Sequence, residues 1–133
     1  MEKGRNCSLA YILNKNWTKN IVDAKSDVLY IVGGLYGNSF ALNKINELAK
    51  SENAQIIFNG DMHWFDVKEE DFLSIENNSK GNSIKLLGNV EYELISKDDL
   101  LGCGCNYPED VDSGVVERSN IIHQMMKENV KNN

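Results

Sequence analysis

With 133 residues, 41% hydrophobic and 26% charged, the chain has the composition of one globular domain, long enough to bury a core. A net charge of −6 without any stripe of Lys or Arg excludes a nucleic-acid surface built on clustered cations, and equally a polybasic membrane contact. No apolar run reaches the length of a bilayer span, and the stretch behind the charged N-terminus is broken at Asn14, Lys15 and Asn16, so it does not read as a secretory signal. Three cysteines in such a chain point to free thiols in a reducing compartment, the cytoplasm.

Residues 1–25 are weakly patterned; Leu9, Ala10, Ile12 and Leu13 can cover one edge of a core, with Trp17 beneath them. Val28-Leu29-Tyr30-Ile31-Val32, closed by Gly33-Gly34, predicts a buried strand. Asn38-Ser39 predicts a helix start, and Phe40, Leu42, Ile45 and Leu48 follow at helical spacing as its inward face. The apolar run Gln55-Ile56-Ile57-Phe58 predicts a second strand, making a βαβ unit with parallel strands and a right-handed crossover.

Glu69-Glu70-Asp71 suit the first turn of a helix that continues through Phe72, Leu73 and Ile75. Asn77 to Asn82 predicts a polar turn, and Ser83-Ile84-Lys85-Leu86-Leu87 a third strand. Residues 94–101 carry no clear pattern, and Gly102 to Pro108 reads as a loop. A helix is predicted over Val111–Val130, with Val115, Val116, Ser119, Ile122, His123 and Met126 inward; the polar tail from Lys127 is expected to fray. The fold class is therefore α/β, a partly parallel sheet flanked by helices, with residues 1–133 as a single domain.

Each of the three strands ends in a Gly-rich junction carrying Asn or Asp: Gly33-Gly34-Leu35-Tyr36-Gly37-Asn38, Asn59-Gly60-Asp61, and Gly88-Asn89-Val90-Glu91. In open α/β sheets ligands bind beyond the carboxyl ends of the strands, so three such tips describe one candidate site. Asp61 and Asn89 offer oxygen donors that suit a hard divalent cation. A single Asn-Gly or Gly-Asp is ordinary turn chemistry, but three at equivalent positions favour a binding site over coincidence.

The order Gly37-Asn38, Asn59-Gly60-Asp61, Gly88-Asn89-Val90-Glu91 resembles the first half of the calcineurin-like metallophosphoesterases, whose motifs run D-x-H-G-N, G-D-x-x-D and G-N-H-[DE] over roughly residues 27–94. The stretches GGLYGN, FNGDMHWFD, GNVEYEL and GCGCNYP with VVERSN resemble a divergent bacterial subgroup of that family across nearly the whole chain. The resemblance implies metal-dependent hydrolysis of a small phosphoester, with Asp61 bridging metals such as Mn, Fe or Zn and Asn89 on one of them. It also implies substrate contacts at Gly34, Tyr36 and Asn38.

His63 shares the loop with Asp61 and can add an imidazole ligand; beside Trp64 and Phe65 it can equally pack or cap that loop. Asp66 reads as a helix N-cap, Glu91 and Glu93 as a solvated face, and His123 as a core or boundary histidine. Cys103-Gly-Cys105 can bind soft metal or exchange with Cys7, but reads as reduced thiols in a packed loop.

Several positions depart from the family's pattern. Gly34 and Tyr36 stand where its first motif has Asp and His, Trp64 where the second has its later Asp, and Val90 where the third has His. The resemblance also stops before the family's second sheet and its histidine motifs, which implies a truncated or split domain. The alternative function is thus a non-catalytic remnant or binding module, its bare sheet surface covered by the C-terminal helix, by a second chain or by self-association.

Overall fold

A computed structural model describes residues 23–96 and 107–132, together with Asn16, Lys19 and Ile21. The expectations for Leu9, Ala10, Ile12, Leu13 and Trp17, and for Cys7, Cys103 and Cys105, lie outside the described residues.

The elements run β1 (Leu29–Val32), α1 (Ser39–Glu52), β2 (Gln55–Asn59), α2 (Glu69–Asn78), β3 (Ser83–Leu86), α3 (Asn89–Ile95) and α4 (Ser113–Asn132). The class is α/β, as the sequence implies, and every strand pairing among the described residues is parallel, in the order β1-β2-β3. The register sets Ile31 beside Ile57 and Ile57 beside Ile84; Tyr30 lies beside Ile56 and Val32 beside Phe58. Side chains alternate along a strand, so these pairings define two faces. Ile56 and Phe58 face α1 and α2 and form the core with Leu35, Leu42, Ala49, Ala54, Met62 and Ile75. Both crossover helices lie on this one side, as successive connections of one hand require.

Helix α1 begins where the Asn38 side chain accepts a hydrogen bond from the Ala41 N–H at 3.0 Å. That bond satisfies one of the donors the first turn leaves over. It ends at Asn53, in the left-handed region at φ 51°, whose N–H reaches the carbonyls of Ala49 and Lys50. Its inward face is Leu42, Ile45 and Ala49, and not Phe40, which is 87% exposed. Phe40 lies in the first helical turn, on the far side from the sheet, so helical spacing alone placed it wrongly.

Two further expectations change. Residues 89–95 form α3, a short helix whose Val90 and Leu94 are buried. Helix α4 starts at Ser113 and carries its order through the segment expected to fray: Lys127 and Asn129 are buried, and the Asn129 amide donates to the Val67 carbonyl at 3.0 Å. Met126 packs with Phe72, Val90 and Leu94 in a second apolar cluster, which seats α4 against α2 and α3. The C-terminal helix therefore does not cover the other side of the sheet. There Ile31 is 71%, Leu29 40% and Leu86 36% exposed.

Among the described residues no helix is long and apolar enough to cross a membrane.

These placements predict a graded response in urea unfolding. Leu42→Ala should cost about 2–5 kcal/mol by opening a cavity, and Asn38→Ala about 1 kcal/mol by removing the cap. Phe40→Ala should stay within about 0.5 kcal/mol of the parent.

Candidate functional site at the strand tips

The three junctions adjoin one another, and most of the bonds that join them are donated by backbone N–H groups. The Asp61 carbonyl accepts from the N–H groups of Leu35 and Tyr36 at 2.9 and 3.0 Å, and the Met62 carbonyl from that of Gly37 at 2.8 Å. These bonds lock the β1 tip to the β2 tip. The β2 tip is joined to the β3 tip by the Glu91 side chain. Its Oε2 accepts from the N–H of Asp61 at 2.7 Å and of Gly88 at 2.9 Å, while Oε1 accepts from Met62 N–H at 2.7 Å. Glu91 is therefore no solvated face. It is a carboxylate spent on three backbone donors, at the first turn of α3. Glu93, grouped with it on sequence, is buried, while Glu91 is half-buried.

Two non-glycine residues at these tips sit in the left-handed region, Tyr36 at φ 53° and Asp61 at φ 55°. For a tyrosine this conformation is strained, and it persists because the surrounding bonds over-determine it. Asp61 Oδ1 accepts from the Val90 N–H at 3.3 Å, and the Tyr36 hydroxyl donates to Oδ2 at 3.5 Å, the long end of a hydrogen bond. Glycine is required at Gly60, and Gly34 leaves room for a neighbouring ring. A Cβ on Gly60 would collide with the Gly88 backbone, and a Cβ on Gly34 would meet the Tyr36 ring at 2.5 Å. The Tyr36 ring thus fills the space over Gly34. A cavity of about 440 Å³ opens beside it, lined by Gly33, Gly34, Tyr36, Asn38 and Phe65 among others.

His63 is buried and does not line this opening. Its Nδ1 lies 2.6 Å from Asp66 Oδ2 and its Nε2 lies 3.0 Å from Glu76 Oε1, while its ring stacks on Phe72 with centroids 4.3 Å apart. Burial on its own lowers the imidazole pKa, but the hydrogen bonds and charges of Asp66 and Glu76 outweigh it and raise the value to about 9. Glu76 is held down to about 2, chiefly by its hydrogen bond to His63 and further by Lys85 at 3.2 Å. At neutral pH the group is an imidazolium clamped between two carboxylates. Asp66 also accepts from the Trp64 N–H at 2.9 Å. It folds the loop onto itself and is not the N-cap of α2, a position held by Lys68 without a side-chain bond.

The residues named from sequence thus separate. Asp61 and Tyr36 meet at the tips, with Gly34 beneath the tyrosine ring. Asn38 is adjacent, but its side-chain oxygen caps α1. Asn89 begins α3, next to the Val90 amide that binds Asp61. His63 belongs to a different, buried network with both ring nitrogens engaged. Among the described residues no three His, Cys, Asp or Glu side chains converge as a metal's ligands would. With both ring nitrogens of His63 taken by Asp66 and Glu76, Asp61, Asn89 and His63 do not stand together as one ligand set.

Sequence reasoning missed Glu91 and Glu76 as structural anchors. The signal for Glu91 was its place in the third turn position after Gly88, a capping-box spacing. Glu76 had none, because its partner lies thirteen residues away on a loop.

Because the His63 pKa is raised on folding, its contribution to stability is complete below about pH 6.5 and is lost as pH rises through about 9. The Glu76 contribution is present above about pH 4.5 and is lost as pH falls through about 2. Thermal unfolding followed from pH 6 to pH 10 should show the alkaline loss, and it should vanish in His63→Ala. That variant should itself be about 3–5 kcal/mol less stable at pH 7, since Asp66 is left buried and unpaired. Glu91→Ala should cost about 3 kcal/mol or more through its three lost charge-assisted bonds.

No family model, no curated protein and no solved structure matches this chain.

Proposed function

We propose that the chain is a non-catalytic binding module on a metallophosphoesterase-like scaffold. The observation that carries this reading is the engagement of the donors: both ring nitrogens of His63 are held by Asp66 and Glu76, and the Tyr36 ring covers Gly34. Those are positions, or neighbours of positions, where the resembled family places metal ligands. A buried imidazolium cannot donate a lone pair to a cation without first giving up a proton and a carboxylate partner. The tips are instead consolidated by backbone bonds, which makes them a rigid platform. We place this module in the cytoplasm, on the reducing setting its three cysteines suggest.

A second reading is the metal-dependent phosphoester hydrolase itself. It is favoured by one observation, that the three strand tips adjoin with the Asp61 carboxylate among them. Elemental analysis of protein purified without chelator separates the two. The binding-module reading expects Mn, Fe and Zn far below one ion per chain, with no change in melting temperature on adding Mn or a chelator. Stoichiometric metal that disappears in Asp61→Ala would overturn it in favour of the hydrolase.

A further inference from the structure

We propose that the cavity at the β1 tip is a binding site for a small, uncharged heteroaromatic molecule. This rests on the binding-module reading and gives that module a ligand class. At about 440 Å³ the cavity lies within the size range of small-molecule sites. Val32 at the end of β1 and Ala41 and Ile45 of α1 give it apolar walls. Gly33 adds no side chain to them, and a Cβ there would meet no atom within 4 Å.

Two aromatic rings stand at the opening, Tyr36 with 44% and Phe65 with 70% of its surface in water. Apolar ring surface left in water is unfavourable, and a flat guest laid against it removes that surface from solvent. The backbone that carries both rings is fixed before any guest arrives. The Tyr36 N–H donates to the Asp61 carbonyl at 3.0 Å, and the Phe65 N–H donates to the Tyr36 carbonyl at 3.2 Å. A site ordered in advance loses little entropy on binding.

Charge decides between guests. Among the described residues that line the cavity, none is ionised at neutral pH. A phosphate dianion would enter without a cation to meet it, on a chain of net charge −6. The occupant is therefore uncharged. Asn38 adds the polar requirement: its Oδ1 is taken by the Ala41 N–H at 3.0 Å, so the amide offers its NH2 group. That group suits a ring nitrogen or ring carbonyl, which makes the guest heteroaromatic.

Titration of the full chain with quinoline, which is flat, uncharged at neutral pH and carries one ring nitrogen, tests this by calorimetry and amide NMR. The expected result is saturable binding with a Kd of about 1 mM or tighter, with shifts centred on residues 33–41 and Phe65. Inorganic phosphate should not displace it. Phe65→Ala and Tyr36→Gly should each weaken binding about tenfold. Phe65 is mostly exposed, and glycine takes the positive φ of Tyr36 freely, so both variants keep the fold. Phe40→Ala, exposed and outside the cavity, should bind as the parent does. No saturable binding overturns the proposal, and so does affinity unchanged in either ring variant. Equal loss in Phe40→Ala, which means unspecific adhesion, overturns it too, as does displacement by phosphate. Metal content of the same samples keeps the two readings apart. A metal-loaded chain that binds quinoline supports this site and overturns the non-catalytic reading; a metal-free chain that binds none does the reverse.

Discussion

The Glu91 carboxylate is the constraint on which the strand tips depend. Its two oxygens take three backbone N–H groups, one from the β3 tip and two from the loop after β2. A carboxylate satisfied in this way is a strong, short-range tether. It holds Asp61 in the left-handed conformation, and the Asp61 carbonyl then receives the two amides of the β1 tip. The order of dependence runs from α3 through β2 to β1. Each step uses groups that would otherwise be orphaned at the ends of strands.

The same loop is fixed from its other side by the buried His63. Between Asp66 and Glu76, and stacked on Phe72, the imidazole connects the loop to α2 and to the apolar cluster that seats α4. Asp66 has no exposed surface to speak of and would be costly there as a lone charge, so the protonated histidine is what makes its burial tolerable. The loop that reads on sequence as the place for chemistry is held in place by these bonds.

Among the described residues the packing is lopsided. Both crossover helices cover one side of the sheet, and α4 is drawn to α2 and α3 by Phe72, Val90, Leu94 and Met126. Aliphatic residues are left on the other side of a three-strand sheet. An all-parallel sheet normally has both faces covered.

The sequence by itself determined the α/β class, the three strands and the helices between them, because β-branched runs closed by glycine and helical spacing of aliphatics report local periods directly. It also located the strand tips, since Gly33-Gly34, Gly60 and Gly88 mark sites of tight turning and close approach. What it could not decide is which way a given side chain turns. Phe40 follows helical spacing yet faces solvent, Glu91 reads as exposed yet binds three amides, and His63, which on sequence can be a ligand or pack the loop, sits between carboxylates. Those outcomes depend on partners far away in the chain, Glu76 for His63 and Asp61 for Glu91. Only tertiary structure brings such pairs together, because a hydrogen bond between distant residues leaves no period in the sequence that makes it.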